Sequence, residues 1–289
     1  MKYGLINKNL IPFWETPSKT KEKEGKIYSN IDDEGLYGHG LLILEDGPML
    51  KVKTHYGYCG YVDKENVTFI DEKELKEREE SRFMVLSARV ADVTSQPSVQ
   101  GVRLETLYRG GILEVLNFEE EPGWAKVRTL KDVGYVRNIF LEEKKFSQSY
   151  LWTKKLPFVR PDEEDFRRRV CRRAKTYEEV QYRWAGKSPL GLDCSGLTSM
   201  VYMLEGVLIY RNADIAEGWP VKEIPYEEKK PGDLLFFPGH IALYLGNDQY
   251  IHSTGNKDSG GVVYNSLNPE DDNYREDLKQ SLTQVGSIF

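Results

Sequence analysis

Apolar and polar residues alternate along the first 140 or so positions. Short stretches rich in Val, Ile, Leu and Tyr are separated by glycine-bearing turns. That period of two predicts strands of small antiparallel barrels. The pattern occurs twice. Leu42-Ile43-Leu44 is followed by Lys51-Val52-Lys53-Thr54 and then Gly60-Tyr61-Val62; Gly111-Ile112-Leu113 is followed by Lys126-Val127-Arg128-Thr129 and then Gly134-Tyr135-Val136. The offset is 75 residues from Lys51 to Lys126 and 74 from Gly60 to Gly134. Three matches in one order predict a duplicated unit of about 60–70 residues, small enough that each core is marginal and leans on its neighbours.

Two breaks divide the chain. Residues 71–82, DEKELKEREESR, carry ten charged side chains in twelve, with Leu75 the single large apolar residue. Such a composition buries no face, so a linker or a short solvated helix is expected. The second break, near 142–161, is polar and aromatic by turns and closes on Pro161. The expected organisation is a first domain at 1–70, a charged linker at 71–82, a second domain at 83–143, a linker at 144–161 and a third domain at 162–289.

From residue 162 the texture changes. Asp162, Glu163, Glu164 and Asp165 precede Arg167, Arg168, Arg169, Arg172, Arg173 and Lys175. Acid at the start and base toward the end suit the helix macrodipole, which predicts a helix to about Tyr177 with a solvated basic face. Cys171, in its middle, reads as a buried small residue. After the Gly/Pro-rich loop 184–191, a second helix is predicted from Cys194 or Ser195. Its apolar face is Leu197, Met200, Val201 and Leu204, and Gly206 is its stop. Strand-like runs follow at 233–237, 241–245, 250–253 and 261–265. Helices first and a β meander afterwards predict an α+β domain.

Composition then restricts function. The 289 residues hold 40 Lys and Arg against 46 Asp and Glu, a net charge of −6, and the pI is near 5.5. This argues against general binding to nucleic acid or to an anionic membrane. The longest apolar runs, Leu41–Leu44 and Leu234–Phe237, are far too short to span a bilayer. Asn7, Lys8 and Asn9 interrupt any apolar signal segment. Three cysteines, Cys59, Cys171 and Cys194, make no disulfide framework and suit a reducing, cytoplasmic setting.

One of the three has chemistry written around it. Asp193-Cys194-Ser195-Gly196-Leu197 places a thiol at a helix start, where free N–H groups and the dipole favour a thiolate. Gly196 is expected to leave room for a substrate, and the Cys194 N–H to face a developing oxyanion. His240 opens one predicted strand and His252 lies in the next. Adjacent strands can bring both rings to one face, so that one imidazole takes the thiol proton while the other orients it. The alternatives are a zinc site, for which no CxxC or HxxxH spacing exists, and chance placement. No metal and no cofactor is expected.

Read in order, Tyr182-Arg183-Trp184-Ala185-Gly186, Asp193-Cys194-Ser195-Gly196-Leu197, Arg211, Pro231-Gly232-Asp233-Leu234-Leu235-Phe236-Phe237, His240-Ile241-Ala242-Leu243-Tyr244-Leu245-Gly246 and Ile251-His252-Ser253 resemble the NlpC-type cysteine peptidases of bacterial cell walls. The N-terminal repeats resemble bacterial SH3-like domains, through Leu36-Tyr37-Gly38 and Leu107-Tyr108-Arg109-Gly110 followed by the KVxT and GYV words. The resemblance implies two small SH3-like β-barrels followed by an α+β papain-like cysteine peptidase domain. It is similar in arrangement to the γ-D-glutamyl-L-diamino acid endopeptidases that recycle cell-wall peptides. The implied partner is a murein-derived peptide with a free N-terminal L-Ala.

Carried over position by position, the resemblance makes Cys194 the nucleophile, His240 the general base and His252 the residue that orients it. It places the Tyr182 hydroxyl near the oxyanion site and Asp193 and Ser195 against the bound dipeptide. It implies that Arg211 binds the D-Glu α-carboxylate, as a guanidinium fork can. In the first domain it assigns the substrate amine to Tyr58, within Gly57-Tyr58-Cys59-Gly60-Tyr61, and to Asp32. Three departures touch the substrate pocket: Ala185 stands where the family has the first glycine of YxWGG, and Ala213 and Ala216 stand where polar residues are common. Cys59 is expected to be buried and inert. Competing readings are a wall-associated hydrolase of intact peptidoglycan with SH3-like anchors, a non-catalytic wall-peptide binder, and an acyltransferase using the same thiol.

Overall fold

The computed structural model describes residues 2–80, 82–146 and 158–289. The chain divides into two compact units, 1–154 and 155–289. Among the described residues no helix is long and apolar enough to cross a membrane.

The first unit holds two antiparallel β-sheet domains with one strand order used twice. The first sheet runs Ile31–Leu36, Leu10–Trp14, Cys59–Val62, Leu50–Thr54, Gly40–Asp46, Lys2–Ile6, Val67–Ile70. The second runs Arg103–Tyr108, Val90–Thr94, Val133–Arg137, Trp124–Arg128, Ile112–Glu121, Phe83–Leu86, Leu141–Glu143. The duplicated words of the sequence occupy equivalent strands in the two sheets. A hairpin, Thr20–Lys23 against Lys26–Ser29, is an addition to the first. Alternation places Ile11, Phe13, Val52 and Val62 in one core and Val93, Val115, Val127 and Val136 in the other. The small cores do lean on each other. Tyr37 of the first domain is part of the second core, its hydroxyl accepts from the Leu130 N–H at 2.6 Å, and its carbonyl accepts from the Ile112 N–H at 2.9 Å.

Two expectations need correction here. The charged stretch is a helix, Glu72–Glu80, but it is not wholly solvated. Leu75 is fully buried against Tyr3, Leu42 and Ile70. One large apolar side chain among charges is enough to dock a two-turn helix when a single knob meets a ready hole. Cys59, expected to be buried, is exposed. It opens a strand in which Gly60 and Val62 point inward, and the period of two turns Cys59 out. The expected second linker, 144–161, falls largely on residues 147–157, outside the described residues.

The second unit is α+β. Its six-stranded antiparallel sheet runs Lys222–Ile224, Gln284–Ser287, Leu234–Phe237, His240–Gly246, Gln249–Ser253, Val262–Ser266. Helices Glu163–Lys175 and Cys194–Leu204 supply Phe166, Val170, Leu197 and Val201, which pack on Ile241, Leu243 and Ile251. Leu235, Phe237, Ala242 and Tyr250 form a smaller cluster with Leu278 of the short helix Glu276–Ser281.

The first helix starts as expected, with Asp162 accepting from the Asp165 N–H at 2.9 Å. Its basic face is another correction. Arg168, Arg172 and Lys175 are exposed, but Arg167 donates to Asp233 at 2.9 Å, and Arg169 and Arg173 donate to Glu205 at 2.8 and 2.5 Å. Glu205 is only 5% exposed, so the two guanidiniums neutralise a carboxylate that could not be buried alone. Half of the basic run is internal bracing.

Candidate active site

Cys194 is the first residue of its helix. Asp193 caps it, accepting from the Gly196 N–H at 2.5 Å. The loop before the helix returns on itself: Tyr182 bridges to Leu192 in parallel, and the Asp193 N–H donates to the Gly186 carbonyl at 3.2 Å. A side chain at Gly196 would collide with the Gly186 oxygen, and one at Gly186 would collide with the Gly191 oxygen. Gly196 therefore admits the neighbouring backbone loop, not a substrate as its position suggested.

Arg211 holds this loop together. It is 2% exposed and spends all four terminal N–H groups inside the protein. One nitrogen donates to Asp193 Oδ1 at 3.1 Å and Ser195 Oγ at 2.7 Å. The other donates to Asp193 Oδ2 at 3.0 Å and the Ala185 carbonyl at 3.1 Å. The expected fork for a substrate carboxylate is closed on Asp193, because a cation this deeply buried requires an anionic partner. Ala185 has φ 61°, the left-handed region that the family's glycine occupies without cost.

The two candidate histidines come from the sheet. Leu243 pairs with Ile251 and Tyr244 with Tyr250; continuing that register sets Ala242 opposite His252 and makes His240 its diagonal neighbour on the same face. The rings meet edge-on, His240 Nε2 lying 2.7 Å from His252 Nδ1. The backbone N–H of Ile241, next to His240, points at the Cys194 sulfur, as does that of Ser195. The helix start at Cys194 and the strand of His240 are thus brought together, and His252 is brought to His240. Tyr182 is drawn in as well; burial, followed by the charges of Cys194 and Asp193, pushes its hydroxyl up to about 12.

Two candidates lie in the other unit. Tyr58 and Asp32 are joined by a hydrogen bond from the phenol to the carboxylate. The acids beside Asp32 are part of strand Ile31–Leu36. Asp33 and Glu34 are buried, and Tyr56 donates to Asp33 at 2.5 Å.

Electrostatics revise one expectation. Burial pushes the Cys194 thiol up, and Asp193 adds to it; the Ile241 and Ser195 N–H groups and Arg211 pull down without offsetting it. A helix start alone does not yield a thiolate when the cysteine is only 8% exposed. Burial also lowers His240 to about 3, helped by His252, and His252 to about 4. A thiol held protonated and imidazoles held neutral can support general-base attack, in which the proton moves as the sulfur adds. Cys171, expected to be buried, is only partly so, and burial raises its thiol to about 11.

The sequence did not single out Asn265. Its amide oxygen lies 2.9 Å from His252 Nε2. The available signal was its place two residues beyond Val263, the partner of His252 in the adjacent strand.

A thiol at a helix start, and an imidazole pair on strands of which one turns its Ile241 N–H to that sulfur, in an α+β domain, suit a cysteine hydrolase. The comparisons agree. Residues 179–275 match the NlpC/P60 family. Dipeptidyl-peptidase 6 of Lysinibacillus sphaericus is 38% identical over 273 residues, covering 92% of this chain and 95% of that protein. Gamma-D-glutamyl-L-lysine dipeptidyl-peptidase of Bacillus cereus is 23% identical over 266 residues, 85% of this chain and 74% of that protein. The crystal structure of an NlpC/P60 family protein from Bacillus cereus shares the fold, with a TM-score of 0.73 over 98% of both chains at 17% identity. The chain belongs to the NlpC/P60 family and is a cysteine peptidase.

Proposed function

We propose that this peptidase hydrolyses the γ-D-glutamyl–diamino acid bond of short murein peptides with a free N-terminal L-Ala, releasing the terminal dipeptide during cell-wall peptide recycling. The observation that carries the reading is the hydrogen-bonded His240–His252 pair, with the N–H of Ile241, the residue after His240, turned to the Cys194 sulfur. The near full-length relation to dipeptidyl-peptidase 6 supports release of a dipeptide, and the relation to gamma-D-glutamyl-L-lysine dipeptidyl-peptidase supports the bond.

In the proposed reaction the thiol proton passes to His240 as sulfur attacks the γ-carbonyl carbon, with Tyr182 beside the developing oxyanion. The C–N bond breaks, the leaving amine takes the proton from His240, and a thioester remains. Water then gives its proton to His240 and attacks the thioester; sulfur leaves as thiolate and recovers the proton. Asp193 and Ser195 line the dipeptide subsite, and Arg211 acts by holding both in place. Recognition of the free amine is assigned to Tyr58 and Asp32. The two β domains, 1–70 and 83–143, are proposed as SH3-like barrels, and 162–289 as a papain-like domain. Three unpaired cysteines suit a reducing cytoplasm.

The test is mass spectrometry of the products from L-Ala-γ-D-Glu-diaminopimelate. The wild-type chain is expected to yield L-Ala-D-Glu and the free diamino acid, and Cys194→Ala none. Turnover by Cys194→Ala would sink the mechanism.

A further inference from the structure

His240 has two ring nitrogens, and for a general base it matters which one is bare. Nε2 is engaged with His252, so only Nδ1 is left to take the thiol proton. That requires the hydrogen of neutral His240 to sit on Nε2, although the isolated ring has no strong reason to keep it there. The structure supplies the reason three residues away from the thiol.

A backbone carbonyl can only accept. Asn265 donates to the carbonyl of Asn273 at 2.8 Å, so the amide edge facing that carbonyl is its NH2. Its oxygen therefore faces His252 Nε2, 2.9 Å away. An oxygen accepts, so His252 Nε2 carries the hydrogen and His252 Nδ1 is a lone pair. His240 Nε2, 2.7 Å from that lone pair, must then be the donor, which leaves His240 Nδ1 bare. Each step follows from donor and acceptor valence. The anchor is itself held. The Asn273 carbonyl also accepts from the Ser266 N–H at 3.1 Å, and the Asn273 side chain donates to Gln249 at 2.9 Å. Asp271 accepts from Gln249 at 2.7 Å and from Ser266 at 2.6 Å.

We infer that Asn265 is a positioning residue of this peptidase: fixed by the Asn273 carbonyl, it sets the tautomer of His252 and, through it, that of His240, so that the nitrogen left for the thiol is the basic one. The inference rests on Cys194 and His240 being nucleophile and base. Asn265 contacts neither the sulfur nor the substrate in this scheme. Its effect is on the rate of proton transfer and not on binding.

The experiment is two-bond nitrogen–proton NMR of the full chain carrying labelled histidine; with four histidines in the sequence, His240 and His252 are assigned by single substitution. Wild type is expected to show both rings as the Nε2–H tautomer near neutral pH. Asn265→Ala, with no acceptor, is expected to mix the His252 tautomers and to lower kcat by about 10-fold to 100-fold at unchanged KM. Asn265→Asp still accepts and is expected to keep His252 as Nε2–H, while its negative charge moves the acid limb of kcat to higher pH. A wild-type His240 or His252 protonated on Nδ1 would overturn the inference. So would Asn265→Ala with unaltered tautomers, or Asn265→Asp with His252 as Nδ1–H. The spectra need no turnover, so this outcome is separable from the Cys194→Ala test of the catalytic reading.

Discussion

At the scale of single residues, the site is built from compromises that family motifs alone do not reveal. Ala185 keeps a left-handed backbone, φ 61°, and buries its methyl in the loop whose carbonyl Arg211 reads. Left-handed backbone costs a β-carbon residue roughly 1–2 kcal/mol, partly offset by the greater unfolded-state freedom of glycine. Ala185→Gly is therefore expected to stabilise the protein by about 0.5–1 kcal/mol with kcat unchanged, read as a rise in the thermal unfolding midpoint. A fall would mean that the methyl packing outweighs the strain. Arg211 shows the converse. Its identity was legible, but its role was not, because the carboxylate that closes its fork lies 18 residues earlier in the chain. Only the folded loop shows that this fork has no room for a ligand.

At the scale of elements, the helix of Cys194 and the strands of His240 and His252 were readable, and their electrostatic state was not. Asp193 as a cap, the apolar spacing of Leu197, Met200 and Val201, and alternation around His240 and His252 all have local signatures. Burial of the two rings depends on what the sheet packs against. It lowers His240 to about 3 and His252 to about 4 from an ordinary 6.5. As pH falls from 6.5 towards 4, the unfolded chain takes up protons that the folded rings refuse. The contribution of the neutral pair is thus full above pH 6.5 and lost through that window. Thermal unfolding between pH 7 and pH 4.5 is expected to show a steeper loss of stability for wild type than for His252→Gln. Parallel slopes for the two proteins would show that His252 is not held neutral.

At the scale of the whole molecule, the proposal gives the first β domain a part in substrate recognition and not in anchoring alone. Tyr58 and Asp32 are already hydrogen bonded to each other, a pairing that offers a negative group to an ammonium. Hydrogen bonds to charged groups contribute about 1.5–3 kcal/mol. Acetylating the amine of L-Ala-γ-D-Glu-diaminopimelate is accordingly expected to lower kcat/KM by at least about tenfold. Equal turnover of free and acetylated peptides would remove the recycling assignment while leaving the peptidase chemistry intact.

Sequence by itself determined the duplicated β pattern, the helix that begins at Cys194 and the strand positions of His240 and His252. These are properties of short windows, in which period, caps and turns act over a few residues. Tertiary structure alone decided which groups are satisfied and which are exposed. It closed Arg211 on Asp193, placed Gly196 against Gly186, buried Leu75 and turned Cys59 outward. It also brought Asn265 to His252 and raised the thiol where a helix start by itself would have lowered it. Pairing, desolvation and proton placement depend on atoms distant in the chain, and those atoms meet only in the fold.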